Sequence, residues 1–218
     1  MRVTAWVMGL CVLGFARVAS AQAVPAERVG FQMAVRTGYA LPMGDVEEGV
    51  GMDDFVSGQL PLFVEIGGKV SRHVFIGGYL GLSFGGPNGE TERLCDAFES
   101  CLSVGVRLGA EVQYHILPAG SVNPWLGYGI GLESLAVALQ EGGENATFGY
   151  GGYEYARLSA GLDFRLTRGF GLGPFIDFSV GEYTSIDTDT SQEDEERDVQ
   201  DGAAHQWLTL GVRAVIFP

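Results

Sequence analysis

Apolar and polar residues alternate along most of the chain after its first thirty residues. In CLSVGVRLGAEVQYH, Cys101 to His115, every second residue from Leu102 to Tyr114 is apolar, and the residues between are polar or small. A period of two is typical of a β-strand whose two faces meet different environments. Eight segments show it and predict an all-β protein: roughly 30–40, 58–69, 73–84, 101–115, 124–137, 152–166, 171–183 and 205–217.

The connections between these predicted strands alternate in length. Residues 41–57, 85–100, 138–151 and 184–204 form long connections, whereas 70–72, 116–123 and 167–170 form short ones. In an up-and-down antiparallel sheet, all the long connections then lie at one end. Bacterial membrane barrels have this asymmetry, with short periplasmic turns and longer extracellular loops. The pattern therefore predicts an eight-stranded antiparallel up-and-down transmembrane β-barrel.

Alternation alone does not decide which face points outward, because a soluble lipocalin-like carrier would place its apolar face inside. The polar face here is rich in glycine rather than in lysine and glutamate, which is unlike a solvated exterior. The apolar sets are also about as long as a strand that crosses a bilayer. We therefore expect the apolar set to face lipid.

The polar set of the predicted strands carries both signs of charge in near balance. Eight strands leave an interior that side chains can fill, and buried charges there must be paired. The predicted barrel-interior charges form a plugged polar core and are Arg36, Lys69, Arg107, Arg157, Arg165 and Arg213 against Glu65, Glu111, Glu133, Asp163 and Asp177.

Several aromatic residues fall near predicted strand ends or on the outward phase. Such positions predict a girdle at the membrane interfaces, although ordinary strand aromatics remain the alternative. The candidates are Tyr39, Phe84, Tyr114, Trp125, Tyr128, Phe178 and Trp207.

The first residues have the pattern of a secretory signal peptide. Arg2 precedes the apolar run AWVMGLCVLGFA, and Ala19-Ser20-Ala21 offers a cleavage site. The apolar run is short for a membrane-spanning helix, which needs about 20 residues. We therefore predict a signal peptide over residues 1–21 and a barrel domain over residues 22–218.

Acidic residues outnumber basic ones, giving a formal net charge of −14. Of the 27 acidic residues, 19 lie in the four long connections, which hold only Arg93 and Arg197 as basic residues. This balance disfavours nucleic acid as a partner, because phosphate binding needs a basic face. It predicts acidic loops at the cell surface, whose ligand the sequence leaves open.

Two cysteines, Cys95 and Cys101, lie in and beside the second long connection. An even pair in an exported protein suggests a disulfide, with two free thiols as the alternative. The histidines, at 73, 115 and 205, form no serine–histidine–acid set and no metal-ligand spacing. We predict no catalytic residue, cofactor or metal.

The opening GFQMAVRTGYALPMG, the eight amphipathic strands and the last segment LTLGVRAVIFP resemble the small outer-membrane β-barrels of the OmpA/OmpX type. The resemblance implies a monomer in the cell outer membrane whose partners are membrane lipids, lipopolysaccharide and the barrel-assembly machinery. Family members usually end in an aromatic residue, whereas here Pro218 follows Phe217, which lies on the inward phase. The expected role is non-enzymatic, structural or in surface interactions, with a narrow porin-like channel as the alternative.

Overall fold

The structure is a computed structural model that describes residues 29–47, 49–88, 100–141, 144–189, 194–199 and 202–217. The predicted signal peptide and Cys95 lie outside the described residues, as does the side chain of Cys101, so the disulfide stays a prediction. The elements in chain order are β1 Gly30–Glu47, β2 Val50–Gly51, α1 Met52–Phe55, β3 Val56–Lys69, β4 Val74–Pro87, β5 Ser100–His115, β6 Val122–Glu141, β7 Glu144–Arg165, β8 Phe170–Asp189, β9 Asp194–Asp198 and β10 Ala204–Ile216.

Eight long strands form one closed antiparallel sheet. The order runs β1, β3, β4, β5, β6, β7, β8, and β10 then pairs with both β8 and β1, which closes the barrel. Closure leaves none of these strands with an open edge along its paired length. The prediction of an eight-stranded up-and-down barrel is confirmed.

The short connections are tight turns held by local hydrogen bonds. Between β3 and β4, the Ser71 hydroxyl accepts from the backbone N–H groups of His73 and Val74 at 3.3 and 3.0 Å. Between β7 and β8, the Thr167 hydroxyl accepts from the Gly169 N–H at 3.3 Å. Serine and threonine stabilise turns in this way. Few residues are therefore needed to connect the strands at this end of the barrel.

At the opposite end, the predicted long connection over 138–151 is wrong. β6 continues to Glu141 and β7 begins at Glu144, so the two strands form one long hairpin. Val137 and Tyr150 point inward and are buried in an apolar cluster, which extends the two-faced environment past the predicted strand ends. Runs of glycine between residues 149 and 152 have low strand propensity, which hid this continuation in the sequence.

Side chains on the barrel exterior are apolar and exposed along every strand. Representative examples are Leu62, Leu80, Leu108, Ile130, Leu158, Ile176 and Leu210, each between 43 and 56% exposed. Their neighbours in sequence point inward and are mostly glycine, polar or charged residues, as the alternation predicts. No helix in the described ranges is long and apolar enough to cross a membrane.

One irregularity changes the phase of β7. The pairing with β8 shifts register between Glu154 and Ala156, and the pairing with β6 shifts at the same level. A bulge of this kind places two consecutive residues on the same side of the strand. Tyr155 and Ala156 therefore both turn outward, while Glu154 and Arg157 both turn inward.

Candidate functional site: the barrel interior

The interior of the barrel is the place where chemically active side chains concentrate. The structure buries ten of the predicted interior charges, and Arg165 is half-buried at the turn end. These side chains come from seven of the eight barrel strands and form three layers along the barrel: a central network, a layer toward the long connections and a layer toward the short turns.

Arg36 on β1 is the hub of the central network. Its guanidinium donates to both carboxylate oxygens of Asp177 at 2.8 and 3.0 Å, and it reaches Glu111 at 3.4 Å. It also forms an ion pair with Glu65, its neighbour on β3. One fully buried arginine thus spans four strands, which links opposite walls of the barrel.

Two further arginines complete this network. Arg213 donates to Asp163 Oδ2 at 2.7 Å and to Glu65 Oε2 at 3.1 Å, and Arg157 donates to Asp177 Oδ2 at 2.6 Å. Charge-assisted bonds of this length are stronger than neutral ones, and they compensate the loss of hydration only while both partners are present.

The uncharged side chain of Gln113 connects the two halves of the central network. Its amide nitrogen lies 3.0 Å from both Glu65 and Glu111, and its oxygen accepts from Arg213 at 2.9 Å. An amide can donate and accept at once, so it bridges two carboxylates and an arginine without adding charge. The alternation placed Gln113 on the inward face, but only the structure shows this bridging role.

Aromatic rings fill the space between the arginines. The Arg157 guanidinium lies 4.0 Å from the centre of the Phe63 ring, and that of Arg213 lies 4.6 Å from Trp125. Such cation–π contacts are worth more when they are desolvated.

Trp125 and Trp207 are both buried inside the barrel, so their assignment to an interfacial girdle is wrong. They occupy the inward phase, where glycines leave room for large rings: a Cβ at Gly161 would lie 2.7 Å from the Trp125 ring. The other predicted girdle residues are exposed on the outer face: Tyr39, Phe84, Tyr114, Tyr128 and Phe178.

The layer toward the long connections contains Arg107, Glu133, Glu154 and His205. Arg107 pairs with Glu133 at 3.1 Å and lies 3.9 Å from Glu154, which also accepts from the Tyr79 hydroxyl. The His205 ring is hydrogen-bonded to Glu133 through Nε2. The sequence pattern missed Glu154 because the bulge in β7 reverses the phase at that point.

The layer toward the short turns is built around Phe217. Arg165 lies 4.4 Å and Lys69 lies 5.8 Å from the centre of its ring, and Arg165 also donates to the Pro118 carbonyl at 2.9 Å. Phe217 is buried, as its inward phase predicts. The terminal aromatic residue thus packs against two cations at this end of the barrel.

With Glu154 included, the described interior holds equal numbers of basic and acidic residues. The basic ones are Arg36, Lys69, Arg107, Arg157, Arg165 and Arg213, and the acidic ones are Glu65, Glu111, Glu133, Glu154, Asp163 and Asp177. Equal numbers minimise the electrostatic cost of keeping charges away from water.

An apolar cluster covers the charges at the end of the long connections. The end of β1, helix α1 and the start of β3 contribute three side chains with no exposed surface, Val46, Met52 and Val56. They pack with Tyr183 and with residues of β1, β6, β7 and β10: Ala40, Leu135, Val137, Tyr150 and Trp207. This cap lies inside the mouth of the barrel.

Comparison with known proteins adds information at the level of fold. No protein-family model matches the chain, and no curated protein matches it. A major outer membrane protein from Thermus thermophilus is similar in structure, with a TM-score of 0.53 and 14% identity over 88% of this chain and 100% of that one.

Two further solved structures resemble the chain more loosely. Neisserial surface protein A has a TM-score of 0.48 and 12% identity over 84% of this chain and 96% of its own. The outer membrane protein AlkL has a TM-score of 0.48 and 13% identity, covering 91% and 95% of the two chains. The closed eight-stranded sheet and the similarity to the Thermus protein together give this chain the fold of the small outer-membrane β-barrels.

Proposed function

We propose that this protein is an integral outer-membrane β-barrel with a plugged polar interior, which acts without catalysis as a structural or surface-interacting component of the envelope. The observation that carries the proposal is the filling of the interior. Charges paired across the barrel at 2.6 to 3.4 Å occupy its middle, and the apolar cap covers them on one side.

The exterior supports a location within a membrane. Exposed leucine, isoleucine, valine and aromatic side chains surround the sheet on all of its strands. A soluble protein rarely exposes contiguous apolar surface of more than a few hundred Å², whereas lipid is the natural solvent for such a surface. Backbone polar groups are satisfied by closure of the sheet, as the bilayer requires.

The polar interior supports a barrel that does not conduct. A water-filled pore needs an open polar path, but at the level of Arg36 side chains from three other strands contact this arginine. The apolar cap adds a layer of buried apolar side chains toward the mouth. The acidic connections predicted at the cell surface would then interact with ligands or divalent cations without leading them inward.

Membrane insertion is tested by electrophoresis of the outer-membrane fraction with and without boiling. A closed barrel stays folded in mild detergent, so the unboiled band should migrate differently from the boiled one. A band that does not shift, or a protein recovered in the soluble fraction, would contradict the membrane location.

Conductance of the purified protein in planar bilayers tests the plug. We expect no defined steps from the native protein. The variant Arg36→Ala/Arg157→Ala removes two guanidinium groups from the centre and is the matched comparison, since steps seen only in this variant would show that these side chains fill the interior. Defined steps from the native protein would favour the narrow porin-like channel instead.

A further inference from the structure

A group of tyrosines lies on the outer face of β6 and β7. Tyr153 and Tyr155 on β7 are 50 and 51% exposed, and their ring planes are 8° apart with centroids 6.3 Å from each other. Tyr128 on β6 contributes a third exposed ring, whose hydroxyl lies 3.4 Å from the Tyr155 carbonyl oxygen. Together with Glu182 on β8, these residues are called the tyrosine patch.

The bulge in β7 creates this patch. An unbroken alternation from Arg157 would point Tyr155 and Tyr153 into the barrel and Glu154 out. Because the register shifts between Glu154 and Ala156, both tyrosines point outward instead. β-Bulges often redirect side chains in this way at functional sites.

The patch lies at the edge of the lipid-facing surface toward the long connections. Along β8 the outward residues are apolar from Phe170 to Val180, and the next outward residue is Glu182. Tyr153 is the cross-strand partner of Glu182. In an outer membrane, this level of the barrel adjoins the sugars to which the acyl chains of lipopolysaccharide are attached.

Hydrogen-bonding groups and rings are combined in the patch in a way that suits a sugar. The Tyr155 hydroxyl donates to Glu182 Oε2 at 3.0 Å, and this half-exposed carboxylate is an acceptor for further donors. Tyrosine presents an apolar ring face together with a polar tip. A pyranose ring likewise has an apolar C–H face and a polar edge of hydroxyl and amide groups.

Charge argues for the sugar rather than its phosphate groups. Among side chains that the structure describes, the exposed cations Arg72 and Arg168 lie in the short turns, at the opposite end of the barrel. The patch itself offers a carboxylate, which repels phosphate. We infer that the tyrosine patch binds the glycosyl backbone of lipopolysaccharide by stacking on Tyr153 and Tyr155 and by hydrogen bonding to Glu182.

The inference rests on the proposed membrane location, so the experiment separates the two. The native protein is refolded into phosphatidylcholine vesicles with and without lipopolysaccharide, and its urea unfolding midpoint is measured. The patch variant Tyr153→Leu/Tyr155→Leu keeps apolar surface toward the lipid. The control is Tyr114→Leu, since Tyr114 is 51% exposed on the outer face at the end of the short turns.

We expect lipopolysaccharide to raise the midpoint of the native protein and of the control, and to leave the patch variant nearly unchanged. Equal shifts in all three proteins would reduce the tyrosines to general interfacial anchors and overturn the inference. No shift in the native protein would overturn it as well. Failure of the native protein to insert into either vesicle would instead contradict the proposed membrane location.

A second measurement tests sugar binding directly in the native protein. Saturation-transfer NMR on the native protein in micelles uses an unphosphorylated glucosamine disaccharide as the probe. Saturation of the tyrosine ring protons should reach the sugar C–H protons, and the patch variant should bind the probe about fivefold more weakly, as expected for the loss of two ring contacts. Absence of transfer in the native protein would refute sugar binding.

Discussion

Replacement of Arg213 by methionine isolates the contribution of one buried cation in the central network. Methionine keeps a similar apolar stem and removes the guanidinium. The lost bonds run to Asp163 Oδ2 at 2.7 Å, to Glu65 Oε2 at 3.1 Å and to Gln113 Oε1 at 2.9 Å, together with the contact over the Trp125 ring. Glu65 retains its ion pair with Arg36, whereas Asp163 loses its arginine partner.

The expected loss follows from the charge that remains behind. Removing one partner of a buried pair destabilises a protein by about 3–5 kcal/mol, because the other charge stays buried without compensation. With a urea dependence of about 2 kcal/mol per molar, the unfolding midpoint should fall by roughly 2 M. The folded and unfolded fractions in phosphatidylcholine vesicles can be read from their different mobilities on gels.

Two controls make this result specific to the buried pair. Arg72→Met removes an exposed arginine from a short turn and should change the stability by less than about 0.5 kcal/mol. The double variant Arg213→Met/Asp163→Leu removes both charges and should lose about 1–3 kcal/mol less than the sum of the single changes. An Arg213→Met midpoint within about 0.3 M of the native value, or strict additivity in the double variant, would refute this account of the network.

Two further pairs of substitutions test the faces of the strands. Gly161→Val should destabilise the barrel by about 1–3 kcal/mol, because its Cβ would lie 2.7 Å from the Trp125 ring. The control Gly68→Val should be tolerated, because a Cβ at Gly68 meets nothing closer than 3.8 Å. Urea titration of both variants in vesicles checks the difference. Leu108→Arg, on the outward side near the middle of β5, should lower the folding stability by about 2–4 kcal/mol. Leu102→Arg, near the loop end of the same strand, should lower it by only about 0–1 kcal/mol. Equal losses of stability in the same titration would contradict a bilayer around this face.

The sequence predicts the strands because the alternation of residues within each strand reflects its apolar outer face and its polar inner face. Leu108 and its apolar neighbours at every second position need only local information to be recognised, and the inward arginines and carboxylates follow from the same phase. The order of the strands follows from the length of the connections. What the pattern does not contain is the identity of each charge's partner, since Arg36 and Asp177 are 141 residues apart in the chain.

The features that the sequence pattern missed depend on packing across the barrel. Trp125 resembles an interfacial aromatic in sequence, but its ring enters the space that Gly161 leaves on the neighbouring strand. The long β6–β7 hairpin is stabilised by Val137 and Tyr150 in the apolar cap, which gathers residues from distant parts of the chain. Local propensity cannot report such contacts, so the sequence pattern predicts strands that stop short of their observed ends toward the long connections.

Replacement of Glu154 by leucine tests the bulge in β7, because the sign of the stability change differs between a strand with the bulge and a strand with unbroken alternation. If the alternation were unbroken, this carboxylate would face lipid, and Glu154→Leu would stabilise the protein. In the structure Glu154 is 1% exposed, accepts from the Tyr79 hydroxyl and lies 3.9 Å from Arg107. Leucine there leaves a buried hydroxyl without its acceptor and an interior with one excess positive charge, so we expect a loss of about 2–4 kcal/mol. Glu154→Gln keeps the acceptor for Tyr79 and should lose less stability.

Urea unfolding of both variants in vesicles tests this expectation. A stabilised Glu154→Leu protein would show that the bulge is absent. The outward tyrosines and the balance of charges, both of which the bulge creates, would then be absent as well.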